Sequence, residues 1–155
     1  VTVENLNANS VQGDRAVVDL LHLLDAYTTV DASDIPDLVP ILAVIASSSK
    51  GAKFTNVRRL RLKESDRIQS TASLLTNLGG EVIVSDNELD IKPAVFHGGV
   101  VDAMGDHRIA MAAAIAATAA TEPVTILDAD CVTKSYPGFW DDFRKLGGNY
   151  EQYIR

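Results

Sequence analysis

The phrase LLTNLGGEVIV at Leu74–Val84 returns as FRKLGGNYEQYI at Phe143–Ile154, and LLHLLDAYTTV at Leu20–Val30 is a worn copy of both. The two clear copies read alike: apolar residues at helical spacing, a Gly-Gly stop, then a β-prone run. In the first two units a second helix follows, opening at IPDLVP and at DHRIAM. Those openings, Ile35 and Asp106, lie about 71 positions apart, and so do the helices expected from Asp66 and from Pro137. The step from Asp14 to Asp66 is only about 52. The first unit is therefore about twenty residues short, roughly the hairpin that Glu81–Lys92 supplies in the second. Either a natural hairpin is missing or the chain was trimmed between Ala26 and Asp31. Units of this kind bury one face of each sheet against shared helices, and a single unit lacks a core of its own. Three units about a pseudo-threefold axis, helices inside and sheets outside, account for the alanine-rich run Ile109–Ala120, because small side chains let backbones approach closely.

Local signals place the remaining elements. Val1–Leu6 alternates as a strand, Asn9 and Ser10 turn, and Asp14 is placed to cap a helix through Leu24. Tyr27–Val30 is a short β-prone run. A second helix is expected from Ile35, with Pro36 in its first turn, ending in serines and Gly51. Ala52–Leu62 reads as extended chain, and Ser65 as the cap of a helix over Asp66–Leu78. Glu81–Val84 and Glu88–Ile91 form a hairpin around Asp86-Asn87. A helix over Asp106–Ala120, a strand at Val124–Leu127, a helix over Pro137–Leu146 and a strand at Asn149–Ile154 complete the reading.

Composition excludes several classes. A chain of 155 residues forms one well-cored domain, here taken as residues 1–155. The net charge of −7 argues against nucleic acid as partner, yet Arg58, Arg59, Arg61, Lys63 and Arg67 crowd ten positions. An acidic protein with one basic cluster suits a small anion in a cleft. The apolar run Ile109–Ala120 is too short to span a bilayer, and no signal peptide is legible. The single cysteine, Cys131, fits a reducing cytoplasm and reads as a packed thiol, with no base nearby in sequence. A start at Val1 rather than Met suggests a piece of something longer.

Four stretches carry charge where anions bind. In RLKESDRI, Lys63, Glu64 and Arg67 stand where a strand gives way to a helix N-terminus, whose free N–H groups add positive potential. Arg67 is suited to a bidentate grip on a carboxylate or phosphate, and Lys63 is a mobile point charge. A solvated, salt-bridged strand end has the same sequence. In GDHRIAM, Asp106 reads as a helix cap, His107 as a packed side chain or a proton relay, and Arg108 as a second anion ligand. Asp37 is either a helix-start charge or a general base at a cleft mouth. Lys134, in the loop before the last helix, is either a surface lysine or a third anion ligand.

The order of NSVQGD, DASDIPDLVPILAV, RLKESDRI, LGGEV, GDHRIAMA and KSYPGFW resembles the C-terminal part of the 5-enolpyruvylshikimate-3-phosphate synthase family, from Asn9 to Gly148. The related UDP-N-acetylglucosamine enolpyruvyltransferases share the architecture but not this set of blocks. The resemblance implies an α/β (α+β) enolpyruvyltransferase fold of βαβαββ units, this chain being the C-terminal one of two domains with its first unit shortened. It implies transfer of the enolpyruvyl group of phosphoenolpyruvate to the 5-hydroxyl of shikimate 3-phosphate, with no metal or organic cofactor. By the same resemblance Asp37, Lys63 and Glu64 are catalytic, and Asp37 and Lys63 also touch shikimate 3-phosphate. Arg67 and Arg108 grip the phosphoenolpyruvate carboxylate and Lys134 reaches its phosphate; Asp106 and His107, read from GDHRIAM itself, are expected as supporting residues. The other domain carries most of the shikimate 3-phosphate contacts, so the chain by itself is expected to be inactive. An anion-binding or scaffold module with the same fold is the competing expectation.

Overall fold

The computed structural model describes residues 7 and 10–153. The strand expected at Val1–Leu6, Asn9 of the first turn and Ile154 lie outside the described residues.

A short 3-10 turn, Gly13–Ala16, leads into α1 (Val17–Leu23). One unit then runs β1 (Thr28–Asp31), α2 (Val39–Ser47), β2 (Ala52–Thr55), α3 (Arg67–Asn77), β3 (Val82–Val84) and β4 (Glu88–Ile91). A second follows as β5 (Gly99–Asp102), α4 (His107–Ala119), β6 (Val124–Leu127) and α5 (Phe139–Lys145). β1 pairs parallel with β2 across α2, and β5 pairs parallel with β6 across α4. Parallel neighbours need such a crossover, and here each crossover is the helix that the repeat anticipates. β4 adds antiparallel to β2 and β3 to β4, giving the order β1-β2-β4-β3. On β6, no further described strand takes the place that β4 takes on β2.

The repeat has a structural cause. The N–H groups of Gly79 and Gly80 donate to the carbonyls of Thr76 and Leu75, closing α3, with Gly79 at φ +89°. Gly147 and Gly148 close α5 on Arg144 and Phe143 in the same way, with Gly147 at φ +101°. A side chain is strained at such φ values, so both copies of the phrase turn on glycine.

α2 is apolar on most faces and lies at the centre, with Val39, Leu42, Ala43 and Ala46 fully buried. It packs on α4, whose Ala112, Ala113 and Ala116 allow the close approach. The sheet covers this pair from outside: Ala52 and Phe54 of β2 and Leu89 and Ile91 of β4 point inward, while alternate residues face water. Each fully buried Leu, Ile or Phe contributes about 1.5–3 kcal/mol, so this shared core of helices and sheet is the main source of the unit's stability.

Several expectations are corrected. α2 begins at Val39, not Ile35, because Pro40 has no N–H and is tolerated only in the first turn. Residues 52–62 are not one strand: Asn56 at φ +58° ends β2, and Arg58–Leu62 turn as a 3-10 helix. Asp66, not Ser65, caps α3, its carboxylate accepting from Ile68 and Gln69 N–H. Asp14 makes no capping bond; it lies in the 3-10 turn and faces Arg108 at 3.6 Å. β5 and a 3-10 helix over Ala129–Lys134 were not expected, and residues 149–153 are not a strand.

Candidate active site

Three chain turns meet at one end of α2, α3 and α4. Asp37 stands two residues before α2, Lys63 and Glu64 lead into α3, and Asp106 caps α4 by accepting from Arg108 N–H at 3.0 Å. Arg67, the first residue of α3, lies between them with its side chain only 1% exposed. Asp66 caps α3 and so orients its first turn, while Arg61 holds the other carboxylate oxygen of Asp66 at 3.0 Å.

The Arg67 guanidinium has two different edges. Nε and one Nη2 proton face Asp106, at 2.7 and 3.2 Å, and that carboxylate is fully buried. Ser65 Oγ also donates to Asp106, at 3.0 Å. The outer edge gives Nη1 to Asp37 at 2.6 Å and Nη2 to Glu64. Four of the five guanidinium N–H groups thus meet carboxylates. Lys63 Nζ reaches the same Asp37 oxygen at 3.0 Å. Arg108 is looser: it donates to the Asp37 carbonyl at 3.2 Å and approaches the Asp37 carboxylate at 3.4 Å.

Charge fixes the ionisation of the carboxylates. Burial pushes Asp37 up, but the Lys63 hydrogen bond and the charges of Arg108, Lys63 and Arg67 hold it below the usual carboxylate range. Burial likewise opposes the ionised form of Asp106, and the Arg67 hydrogen bond and charge overcome it. Arg67 is raised in return: burial disfavours its charge, and Asp106, Glu64 and Asp37 more than offset this.

A cleft of about 400 Å³ opens beside this network, lined by Asp14, Asp34, Asp37, Arg59 and Arg108 among others. Lys134, at the end of the 3-10 helix Ala129–Lys134, donates from Nζ to the carbonyl of Gly105 at 2.9 Å, and Gly105 is next to Asp106 in the chain. Among the described residues no three His, Cys, Asp or Glu side chains converge as a metal site would require. No helix among them is long and apolar enough to cross a membrane.

A sequence profile of EPSP synthase (3-phosphoshikimate 1-carboxyvinyltransferase) matches residues 24–143. The chain belongs to the EPSP synthase family. The 3-phosphoshikimate 1-carboxyvinyltransferase of Clostridium acetobutylicum is 41% identical over 170 aligned positions, covering 99% of this chain and 40% of that protein. The corresponding Clostridium novyi protein is 42% identical over 168 positions, covering 96% and 39%. The chain thus spans about 40% of the length of the curated relatives it matches. Alignments longer than the 155 residues require gaps in this chain, as a shortened unit does. An EPSP synthase structure from Acinetobacter baumannii superposes with a TM-score of 0.70 at 30% identity, covering 77% of this chain and 28% of that one. The enolpyruvyl transferase NikO from Streptomyces tendae, at 22% identity and a TM-score of 0.66 over 80% of this chain and 28% of its own, shares the fold. The α/β enolpyruvyltransferase fold that the family resemblance implies is therefore the fold present.

Within this EPSP synthase family domain the structure joins Asp37, Lys63, Glu64, Arg67, Asp106 and Arg108 in one network, with Lys134 adjacent. His107 is buried beside them, its Nδ1 making no hydrogen bond among the described residues. Cys131 is buried, and burial together with the Asp128 charge pushes its thiol up to about 11, in keeping with a packing role. Sequence reasoning missed Ser65 and Asp14 as members of the network. Both had been given to helix caps, the default use of such residues.

Proposed function

We propose that this chain is the phosphoenolpyruvate-binding part of an enzyme that makes 5-enolpyruvylshikimate 3-phosphate, a shikimate-pathway step toward the aromatic amino acids. The observation that carries the reading is the convergence of Asp37, Lys63, Glu64, Arg67 and Arg108 on one network in an EPSP synthase family domain. A substrate bearing both a carboxylate and a phosphate needs cations from several elements, and Arg67, Arg108 and Lys134 come from α3, α4 and the 3-10 helix before α5.

In this reading Arg67 and Arg108 hold the substrate carboxylate and Lys134 the phosphate. Asp37, kept ionised by its cations, accepts the proton of the 5-hydroxyl of shikimate 3-phosphate, and Lys63 orients that hydroxyl. Glu64 protonates the methylene carbon while the hydroxyl oxygen bonds to the neighbouring carbon. Collapse of the tetrahedral adduct breaks the carbon–phosphate oxygen bond, releases phosphate and returns a proton from the methyl group. Two separate carboxylates serve because a proton is added at one atom and removed at another. Asp106 and His107 support the arginines. No cofactor takes part, the setting is cytoplasmic, and the rest of a two-domain protein supplies most shikimate 3-phosphate contacts.

Calorimetric titration of phosphoenolpyruvate into the chain, at low and high salt, tests this. Salt-sensitive binding that Arg108→Ala abolishes is expected, with no phosphate release when both substrates are supplied. Preference for a short RNA over phosphoenolpyruvate would overturn the reading. Phosphate release by the chain unaided would overturn the need for the second domain.

A further inference from the structure

Resting on that reading, we propose that Asp37 and Glu64 act as internal stand-ins for the substrate carboxylate on Arg67, and that substrate binding frees both by exchange. The two edges of the guanidinium carry the inference. On the inner edge Asp106 is fully buried, receives a further hydrogen bond from Ser65, and also caps α4, so it stays put. On the outer edge the partners are far less enclosed: the Asp37 side chain is 35% exposed and that of Glu64 is 43% exposed. Each holds an N–H on a different terminal nitrogen, Nη1 and Nη2. That is the pair of nitrogens a single carboxylate engages end-on. The outer edge is thus already filled by two carboxylates, one of which, Asp37, also lines the cleft.

Charge makes simultaneous occupancy unfavourable. Lys63, Arg67 and Arg108 each already pair with at least one of Asp14, Asp37, Glu64 and Asp106, so none of these three cations is without a carboxylate before a substrate enters. A phosphoenolpyruvate anion entering that field must displace a carboxylate rather than add to it. Asp37 does not leave when displaced, because Lys63 and Arg108 still hold it, at 3.0 and 3.4 Å. Glu64 has no such second tether among the described contacts, so it swings free as the substrate arrives. The exchange therefore releases Glu64, which takes up a proton from water before it passes one to the methylene carbon, and turns the acceptor Asp37 from Arg67, in the same event that fixes the substrate. Asp106 is the positioning residue that keeps the guanidinium in place throughout.

The test is a set of calorimetric titrations with phosphoenolpyruvate and, separately, with pyruvate as a carboxylate probe lacking phosphate. Glu64→Gln, Asp37→Asn and the double variant are compared with the unaltered chain, after thermal melts have shown each to be folded. Removing a competitor should tighten binding of both probes by roughly three- to tenfold, the scale of one charge-assisted contact. Binding seen only in the double variant also supports the exchange. Unchanged or weaker binding in Glu64→Gln and Asp37→Asn, with the unaltered chain binding normally, overturns the exchange and leaves the site reading intact. If no variant binds phosphoenolpyruvate, the site reading falls and the exchange with it. If only Asp37→Asn fails to fold, Glu64→Gln decides.

Discussion

Arg67 and Arg108 are the same residue type, each in the first turn of a helix and each touching Asp37, yet they are held very differently. Arg67 is sealed, 1% exposed, with contacts from 2.6 Å; Arg108 is 27% exposed, with contacts of 3.2–3.6 Å. The difference lies in the partner behind each. Asp106 caps α4 and from that fixed place faces back onto Arg67, whereas Arg108 points from the same helix start toward the open cleft. One arginine is thus built into the fold, and the other is left available at the surface of the same network.

The sealed pair should give the largest effect. Asp106→Asn keeps an oxygen to cap Arg108 N–H but leaves the buried Arg67 charge without its inner partner. Removing one member of a buried pair costs about 3–5 kcal/mol. Asp106→Ala should cost about 1 kcal/mol more, since the cap goes too. Urea unfolding of the three proteins measures both; equal stability of Asp106→Asn and the unaltered chain would mean the pair is not structural.

Acid should strike the same pair next. Asp106 and Asp37 have folded pKa values lowered from the ordinary carboxylate value of about 3.9. Above pH ~4 both folded and unfolded chains are ionised there, so the stabilisation is fully present. As pH falls further, the unfolded chain takes up protons first, and the stabilisation is lost as pH drops through the folded values. Unfolding curves between about pH 5 and 2 should therefore steepen below pH ~4. Asp106→Asn should flatten them; an unchanged slope would place the acid sensitivity elsewhere.

These two arginines also mark how far the sequence could be read. The repeat, the Gly-Gly stops, the hairpin at Asp86-Asn87 and the helices from Asp66 and Asp106 depend on neighbours within a few positions, and local spacing records them. That Arg67 is buried on Asp106, 39 positions away, leaves no local trace, because K-E-x-x-R is equally good as a solvated strand end. Ser65 reads locally as the cap of α3, but the cap is Asp66, whose oxygen reaches two N–H groups, while Ser65 turns to Asp106. β5 was missed because GVVD is four residues long and depends on pairing with β6 for its existence. Pro36 reads as the first-turn proline of a helix from Ile35, but such a helix would hold Pro40 in its interior without an N–H donor, and α2 starts at Val39 instead.

The open arginine should give the smallest stability change and the sharpest functional one. Arg108→Ala removes contacts of 3.2–3.6 Å at a quarter-exposed site, a class of ion pair that contributes about 0–1 kcal/mol. Its departure leaves Asp37 with Lys63 and Arg67 and strands only Asp14, a half-exposed carboxylate that water solvates. A melting midpoint within a few degrees of the unaltered chain is expected. Phosphoenolpyruvate binding should nonetheless be lost, because Arg108 is the cation facing the cleft whose donors are least committed. Arg108→Lys separates charge from geometry: a point charge restores attraction at low salt but not the bidentate grip, so recovery should be partial and vanish as salt rises. Full recovery by lysine would mean the cleft reads only charge. A large loss of stability in Arg108→Ala would make the two arginines equivalent, and the contrast between sealed and open would collapse.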